Sequence, residues 1–420
     1  MTEPAISRRG LIAAGAGAAA LGTTAVASIT RSAPYGEGGR VLSAANFGAV
    51  GDGSTDDTRA LQLGLDAAFN GSEQGILIIP PGNYRVTRTL RISPPSHVAR
   101  LSGIIGHGAR LMSDIGSGQN VLEVSARSTF RFLFIEGLDI LGRGREGHGL
   151  ALACERKDHY LYNFCLRDVV VQNCGGDGCY LSGNVFEGQI INSYFRKNGG
   201  NGATFEHGAA GGILSSVHVF GCVFGDNGRY GAAMLRGCFD VCFHGCYFLL
   251  SGRAGLFAEN GCNLLSNCGF ENNHQAAGGF ADENAGIVLQ TFGTLIGCTG
   301  YSVFKQSRLI RAALDGRLVM IGCSGSGDGQ AKAAGLARIG SAGFRAAATI
   351  VGCSGAIAYD HGFDGLEVGM NGAGVKFGSN WRSPTLPQLG EYRLWVDAGG
   401  RLRMKRGPPV SDTDGTPVGT

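Results

Sequence analysis

The sequence predicts an all-β protein, a β-solenoid of about nine or more coils, and three observations predict it. Glycine supplies 73 of the 420 residues without a Gly-X-Y period, and 44% of the residues are hydrophobic, which excludes both collagen and a disordered chain. Short strand-like runs alternate with turn residues and show no helical periodicity. One local pattern, in which Gly or Asn precedes Cys, returns at intervals of 22 to 30 residues. An interval that varies by whole loops is typical of a solenoid with loop insertions.

The recurring cysteine defines the register of the coils. Six cysteines share the pattern: Cys222, Cys246, Cys268, Cys298, Cys323 and Cys353. The same register, continued backwards, adds Ser193, Val169 and Leu138, and an apolar column follows two positions later: Ile140, Val171, Phe195, Phe224, Phe248 and Phe270. Stacked strands hold equivalent positions about 4.8 Å apart, whereas a disulfide needs Cβ atoms about 3.8 Å apart. We therefore predict a ladder of buried, reduced thiols that binds no metal. Cys174 and Cys179 flank one turn, and the sequence leaves undecided whether they form a local disulfide.

The N-terminal segment predicts export. Residues 7–12 read Ser-Arg-Arg-Gly-Leu-Ile, a twin-arginine pattern, and an Ala/Gly-rich apolar stretch follows up to small residues at 25–27. The stretch is too short and too weakly apolar for a membrane anchor, so residues 1–27 are interpreted as a cleavable twin-arginine signal peptide. The expected location is periplasmic or secreted. No later stretch has transmembrane length, and the net charge of +3 predicts neither a nucleic-acid partner nor a membrane partner after cleavage.

The next segment predicts a cap on the N-terminal end of the solenoid. A strand, a Gly/Asp turn and an amphipathic helix are predicted over residues 45–68, and two strands around a Pro-Gly turn over residues 76–86. Side chains that can accept hydrogen bonds from the first helical amides precede the helix: Ser54, Thr55 and Asp56. Such a cap has a physical purpose, because the open end of a solenoid is an exposed sheet edge that must be covered.

The run from Gly51 to Thr58, Gly-Asp-Gly-Ser-Thr-Asp-Asp-Thr, resembles the cap of the pectate-lyase-like superfamily, which includes polysaccharide lyases, glycoside hydrolases and phage tailspikes. The resemblance is close in the cap and general in the coils. It implies a right-handed parallel β-helix over residues 40–360, with the cap at 40–92, and a polysaccharide as the partner. In this setting the acids of the run serve the cap rather than catalysis: Asp52, Asp56 and Asp57.

Residues 361–420 are expected to form a C-terminal extension. Residues 392–404 predict a β-hairpin with Tyr392, Leu394 and Val396 on one face. The segment is similar to C-terminal extensions of tailspike-like β-helix proteins, and this similarity leaves open a homotrimer formed through it. The Asp-Thr-Asp-Gly run at 412–415 is short for a calcium loop, and a Ca²⁺ requirement likewise stays open.

A polar turn column is the candidate site, since stacking makes neighbours of residues one coil apart. Successive coils place a residue before a turn glycine: His148, Asp177, Asn201, Tyr230 and Ala254. Arg229 and Arg253 lie one position earlier on their coils. Cleavage beside a uronate needs a base, a donor for the leaving oxygen and nearby cations. We predict the catalytic residues to be His148, Asp177, Arg229, Tyr230 and Arg253, and a second column to bind substrate: Glu206, His207 and Arg236.

Structural roles compete with these assignments. Asp177 can hold its own turn, and Arg229 and Arg253 can be solvated. His218 and His244 lie at different register positions, which favours packing over metal binding, and no metal site is predicted. Hydrolysis would instead need two carboxylates about 5 to 10 Å apart, which Asp177 and a second acid can supply.

The sequence therefore predicts an exported protein that cleaves an acidic or bacterial exopolysaccharide as a lyase or a glycoside hydrolase. The alternative is a non-catalytic glycan-binding or structural β-helix protein. Paired carboxylates or a basic residue facing an open groove with exposed aromatic rings would favour the enzyme. A flat, loop-free flank that carries only turn residues would favour the alternative.

Overall fold

The structure is a computed structural model. It describes residues 40–69, 74–94, 101–209, 211–274, 285–302, 308–312, 316–327, 335–339, 346–355, 357–359, 363–369, 388–389, 392–397, 399 and 401–418. The predicted signal peptide of residues 1–27 lies outside these described residues. Within them, no helix combines the length and the apolar character needed to cross a membrane.

The described chain is a right-handed parallel β-helix, as the sequence predicts. One face is a parallel sheet of eleven strands, each hydrogen-bonded to the equivalent strand of the next coil. Its strands are β5 (Leu90–Ile92), β7 (Leu122–Ser125), β10 (Leu150–Cys154), β14 (Cys179–Gly183), β17 (Ala203–Glu206), β20 (Ala232–Met234), β23 (Leu256–Ala258), β26 (Ala285–Leu289), β29 (Arg308–Ala312), β32 (Gly335–Ile339) and β34 (Ile357–Tyr359).

The remaining coil strands form a sheet of 24 strands that bends into two strips at the cysteine ladder. The first strip contains β1 (Arg40–Ser43), β3 (Gly75–Ile78), β8 (Phe130–Arg131), β11 (Leu161–Tyr162), β12 (Cys165–Arg167), β15 (Val185–Ile191), β18 (Leu214–Phe220), β21 (Val241–His244), β24 (Cys262–Ser266), β27 (Gly293–Ile296), β30 (Gly316–Ile321), β33 (Ala346–Val351) and β35 (Phe363–Gly369). The second strip contains β2 (Asp52–Asp56), β4 (Gly82–Val86), β13 (Val170–Gln172), β16 (Tyr194–Arg196), β19 (Val223–Gly225), β22 (Tyr247–Leu249), β25 (Gly269–Glu271), β28 (Thr299–Ser302) and β31 (Ser324–Gly327). Two long strands run through both strips: β6 (Ser102–Ser113) and β9 (Leu133–Leu141).

The bend between the strips explains why Gly or Asn precedes each cysteine of the ladder. On eight coils the preceding residue has a φ between 48° and 63°: Asp168, Asn192, Gly221, Gly245, Asn267, Gly297, Gly322 and Gly352. Glycine adopts this left-handed conformation without steric cost, and Asn and Asp tolerate it better than other side chains.

The cysteine ladder is confirmed. Its six thiols are at most 1% exposed, and the backbone amide of Ser193 donates to Cys222 Sγ at 3.4 Å, one coil away. All 13 cysteines are free thiols, so Cys174 and Cys179 form no bridge. The apolar column also stacks as expected, with ring centroids 4.9 Å apart for Phe224 and Phe248. Stacked thiols and rings therefore fill the interior of the coils.

The N-terminal cap is confirmed, although its elements differ from those expected. Helix α1 (Thr58–Phe69) buries Leu61, and Phe69 meets Phe130 edge to face with centroids 6.0 Å apart. Where the sequence predicted the first strand, Ala44–Phe47 form a short 3₁₀ helix. Where it predicted a Gly/Asp turn, Asp52–Asp56 form strand β2. The reason is that β2 pairs with β4 in the growing sheet, and this long-range pairing overrides the local turn preference.

The acids of the cap bond to the cap itself. Asp57 accepts hydrogen bonds from the amides of Val50 (2.7 Å) and Gly51 (3.1 Å), and Asp56 accepts one from the amide of Thr58 at 3.1 Å. These contacts agree with a capping role.

The C-terminal extension is a small antiparallel sheet of β36 (Gln388–Leu389), β37 (Tyr392–Val396), β38 (Leu402–Arg406) and β39 (Thr416–Pro417). The predicted hairpin is β37 and β38. The hairpin buries Trp395 and Arg403. Trp395 lies on the face opposite Tyr392, and its Nε1 donates to the carbonyl of Asp412 at 2.8 Å. Asp414 accepts hydrogen bonds from Lys405 Nζ and from the Val410 amide, so its carboxylate joins the end of the chain to the hairpin.

Candidate functional site

The predicted turn column stacks in the order expected. The amide of Gly149 donates to the carbonyl of Asp177, Gly178 donates to Asn201, and Gly202 donates to Tyr230, each across one coil. The column leads directly into the strands of the eleven-stranded sheet, so its side chains lie at the edge of that sheet's outer face.

His148 and Asp177 are in contact at the head of this column. His148 Nδ1 accepts a hydrogen bond from the Asp177 amide at 3.2 Å and lies 3.6 Å from Asp177 Oδ2. Burial lowers the pKa of His148. The negative charges of Asp177 and Glu206 act in the opposite direction but do not outweigh it. The imidazole is therefore neutral at pH 7. Because Nδ1 accepts a hydrogen bond from the Asp177 amide, the single proton of the neutral imidazole is on Nε2.

The carboxylate of Asp177 also stabilises the turns of its own and the next coil, which is the structural role weighed against catalysis. Oδ1 accepts a hydrogen bond from the amide of Asn201 at 2.6 Å, and Oδ2 accepts one from Thr204 Oγ1 at 2.8 Å. The residue is 8% exposed. Both carboxylate oxygens of Asp177 are therefore bonded to the protein, and its backbone amide supports His148.

Tyr180 is a site residue that the sequence reasoning missed. Its ring stacks on His148, with centroids 4.2 Å apart and 2° between the planes. Its hydroxyl donates a short hydrogen bond to Glu206 Oε1. Burial is the main cause that raises the pKa of Tyr180, and the hydrogen bond to Glu206 raises it further. The phenol therefore keeps its proton. The signal was present in β14, where Tyr180 and Ser182 alternate with the core residues Cys179 and Leu181.

The structure divides the predicted substrate-binding column. Glu206 joins the His148–Tyr180 pair. Arg236 is exposed, and its Nη2 lies 3.9 Å from Glu259 Oε1. The backbone amide of His207 donates a hydrogen bond to the carbonyl of Arg236 at 3.2 Å. His207 directly follows Glu206 in the chain, and Arg236 lies beside His207 on the next coil. Among the described residues, neither contacts His148.

The cationic residues of the predicted catalytic column lie further along the stack. Arg253 Nη1 donates to the Tyr230 hydroxyl at 3.1 Å, and its guanidinium carbon lies 5.3 Å from the Tyr230 ring centroid. Tyr230 is 4% exposed and stacks on Phe257, which makes it a packing residue as well as a hydrogen-bonding one. Arg229 is exposed. The two arginines therefore lie on the two coils that follow the coil of Glu206.

An open pocket of about 320 Å³ lies where the same coils enter the first strip. It is lined by Tyr160, Tyr162, Phe186, Glu187, Ser215 and Ser216. Tyr160 is 41% exposed, and the rings of Tyr160 and Phe186 lie 5.6 Å apart. The guanidinium of Arg131 lies over the Tyr162 ring at 4.8 Å. Exposed rings beside hydroxyl and carboxylate groups can stack on sugar rings and bond to their hydroxyls.

A separate group of potential metal ligands lies on the first strip. The ligand atoms of His218, Cys242 and His244 are all within 4.8 Å of one another. The register positions of His218 and His244 differ by two, as expected, and their side chains meet diagonally across adjacent strands, with ring centroids 5.8 Å apart.

Three family models match separate parts of the chain. Residues 41–108 match "Rhamnogalacturonase A/epimerase, pectate lyase-like", residues 134–300 match "Right handed beta helix region", and residues 336–420 match "Capsule depolymerase". The first match contains the cap, and the second contains the candidate site.

Two curated proteins align with short stretches. A 70-residue stretch is 40% identical to glucan 1,3-beta-glucosidase of Cochliobolus carbonum and covers 16% of this chain and 9% of that protein. A 49-residue stretch is 45% identical to mannuronan C5-epimerase AlgE1 of Azotobacter vinelandii and covers 12% of this chain and 3% of that protein. The alignments thus span less than a tenth of either relative.

Solved structures show the same fold over most of the chain. The ORF18 protein of Geobacillus virus E2 has a TM-score of 0.59 at 19% identity, covering 88% of this chain and 68% of that chain. A tailspike protein 2 from an Escherichia coli O157:H7 bacteriophage has a TM-score of 0.59 at 14% identity, covering 88% of this chain and 52% of that chain. The stacked parallel coils and these matches identify the fold of this chain as a right-handed parallel β-helix, and residues 41–108 are similar to the pectate-lyase-like family model.

Proposed function

We propose that this protein is an exported polysaccharide lyase that cleaves an acidic bacterial polysaccharide by β-elimination. The observation that carries the proposal is the contact of Tyr180 with Glu206 beside the neutral ring of His148. The match of residues 336–420 to "Capsule depolymerase" supports a bacterial capsular polysaccharide as the substrate. The relative named for mannuronan, an acidic glycan, supports the same class.

The three side chains can divide the proton transfers of an elimination. Glu206, an acceptor already bonded to the Tyr180 hydroxyl, takes the proton from C5 of the uronate directly or through the phenol. The C4–O4 bond then breaks, its electron pair leaves with O4, and a C4–C5 double bond forms. His148 Nε2–H donates a hydrogen bond to the departing oxygen or to the substrate carboxylate, and solvent supplies the proton that O4 finally gains. No oxidant or reductant is needed.

The hydrogen bonds of Asp177 disfavour hydrolysis by an Asp177–Glu206 pair. A hydrolase needs two acids that both face the scissile bond. Both oxygens of Asp177 are bonded to Asn201 and Thr204, so Asp177 is a weak partner for Glu206 in such a pair. Arg229 and Arg253, on the coils that follow, can neutralise the carboxylates of neighbouring uronates.

The aromatic pocket supports a binding subsite for the glycan. Tyr160 and Tyr162 follow His148 along one coil, Phe186 follows Tyr180 on the next, and Ser215 follows Glu206 on the third. The three coils that supply the proton-transfer groups thus also supply the pocket.

Two features of the proposal rest on the sequence. Export by the twin-arginine route to the periplasm or the medium rests on residues 1–27, and a homotrimer rests on the similarity of residues 361–420 to tailspike extensions. Replacing Arg8 and Arg9 with Lys should retain the protein in the cytoplasm, and sedimentation of the purified protein measures its assembly state.

The decisive experiment is an activity screen of the purified protein on alginate and on acidic and neutral capsular polysaccharides. Elimination produces both new reducing ends and the ultraviolet absorbance of an unsaturated uronate. New reducing ends without that absorbance would identify a glycoside hydrolase instead. Saturable binding without any cleavage across the panel would identify the non-catalytic alternative, which the aromatic pocket also fits.

A further inference from the structure

An imidazole–thiol cluster lies on the first strip, outside the face that carries the proposed lyase site. His218 on β18 and Cys242 on β21 are directly paired across two hydrogen-bonded parallel strands, and His244 lies two residues beyond Cys242 on the same side of β21. The three ligand atoms are all within 4.8 Å of one another. Cys242 is 4% exposed, and both histidines are partly exposed, so a cation can reach the cluster from solvent.

We propose that His218, Cys242 and His244 bind a divalent cation of the zinc type. Two imidazole nitrogens and one thiolate are the ligands that Zn²⁺ and its close analogue Co²⁺ prefer, whereas Ca²⁺ and Mg²⁺ prefer oxygen. Binding replaces the thiol proton of Cys242, which leaves to solvent, with a metal–sulfur bond.

The scaffold needs only a small adjustment to bind such an ion. Bonds of about 2.0 to 2.3 Å in a tetrahedron place ligand atoms about 3.3 to 3.7 Å apart. From separations of at most 4.8 Å, the ligand atoms must therefore approach each other by at most about 1.5 Å, which rotation of the three side chains can supply while the paired strands keep their positions. The fixed distance between parallel strands thus brings the ligands together before any ion arrives.

Neighbouring polar groups support the same site. His244 Nδ1 and Ser266 Oγ are 2.8 Å apart, and a hydrogen bond donated by Nδ1–H to the Ser266 oxygen leaves the Nε2 lone pair for the ion. Asp240 Oδ1 lies 3.9 Å from Cys242 Sγ and accepts a hydrogen bond from Asn263 Nδ2 at 2.7 Å. Asp240 therefore offers a carboxylate for a fourth position, which water can fill instead.

Simple aromatic packing is the competing explanation. The ring of Phe220 stacks on that of His244, with centroids 4.8 Å apart, and lies 6.1 Å from that of His218. Packing alone, however, gives no reason for a thiol between the imidazoles.

The test is a titration of the purified protein, prepared without a histidine tag, with Co²⁺ and then with Zn²⁺. Bound Co²⁺ should show the visible bands of tetrahedral coordination and a thiolate charge-transfer band, at one ion per chain, and Zn²⁺ should displace it. Cys242→Ser should abolish the charge-transfer band, and His218→Gln and His244→Gln should each weaken binding at least tenfold. Circular dichroism verifies that each variant is folded.

Cys165→Ser is the matched control, because Cys165 lies in the same outward column, three coils before Cys242, with Gln189 and His218 between them. This variant should bind Co²⁺ like the unchanged protein. Absence of the charge-transfer band in the unchanged protein, its persistence in Cys242→Ser, or its loss in folded Cys165→Ser would each overturn the proposal. His218→Gln keeps the test decisive if Cys242→Ser fails to fold.

Discussion

The ring of Tyr180 lies parallel to that of His148 at 4.2 Å, and its hydroxyl is bonded to Glu206. The three residues come from three consecutive coils: His148 from the turn before β10, Tyr180 from β14 and Glu206 from the end of β17. A proton acceptor, a phenol and a neutral imidazole are thus brought together by stacking alone. The turns behind them are held by backbone hydrogen bonds, so the cluster is rigid before substrate binds.

The first prediction concerns this cluster. Glu206→Gln removes the proton acceptor, and Tyr180→Phe removes the hydroxyl bonded to it. Each should lower kcat on a cleaved polysaccharide by about 100- to 10,000-fold with little change in melting temperature. Glu123→Gln is the control, since Glu123 is an outward carboxylate two coils away in the column of Tyr180. Equal activity of Glu206→Gln and Glu123→Gln would remove Glu206 from the site.

The second prediction separates the structural role of Asp177 from catalysis. In Asp177→Asn one of two acceptor oxygens becomes a donor that faces the Asn201 amide or the Thr204 hydroxyl, both donors. The free energy of unfolding should fall by about 1 to 3 kcal/mol, measured by urea denaturation. Asp226→Asn, at an exposed turn position with a φ of 54°, should change it by less than about 0.5 kcal/mol. An Asp177→Asn variant of unchanged stability but low activity would show instead that Asp177 acts in catalysis.

The third prediction is a loss of stability in alkali. Contact with neighbouring ladder thiols, together with burial, raises the pKa of Cys246, Cys268 and Cys298 to about 12 from the ordinary 9.0. Between these values the unfolded chain has lost thiol protons that the folded chain keeps. Stability is therefore complete below about pH 9 and falls as the pH rises towards 12, by at most about 1.4 kcal/mol per pH unit for each thiol.

Urea denaturation at about pH 7 and about pH 10 measures this loss. Cys268→Ala should be less stable than the unchanged protein at both values, because it leaves a cavity. Its difference between the two pH values should nevertheless be smaller, because one titrating thiol is gone. An undiminished difference would show that the ladder does not cause the alkaline loss.

The fourth prediction tests the cap. Leu61 is fully buried against the coils, whereas Leu63, two residues along helix α1, is 46% exposed. Leu61→Ala should lower the free energy of unfolding by about 2 to 5 kcal/mol and promote aggregation, because a loosened helix exposes the sheet edge beneath it. Leu63→Ala should have little effect on either. Similar behaviour of the two variants, measured by melting temperature and light scattering, would show that α1 does not close the solenoid.

The sequence alone determined the register of this protein, down to single contacts. The cysteine ladder, the phenylalanine column and the turn column from His148 to Tyr230 all stack as predicted. They were predictable because a solenoid places each residue directly beside its equivalent one coil later. A repeat in the sequence is then also a repeat of contacts in space.

Only the tertiary structure decided which side chains meet across the columns. Tyr180 lies three residues beyond the turn column and Glu206 was assigned to another column, yet both gather at His148. His218 and His244 likewise meet diagonally, although their register positions differ by two. Such contacts depend on the side-chain direction at each strand position and on the reach of long side chains. Both are set only when the coils pack against each other, because a repeat specifies which positions are equivalent and leaves the diagonal neighbours unspecified.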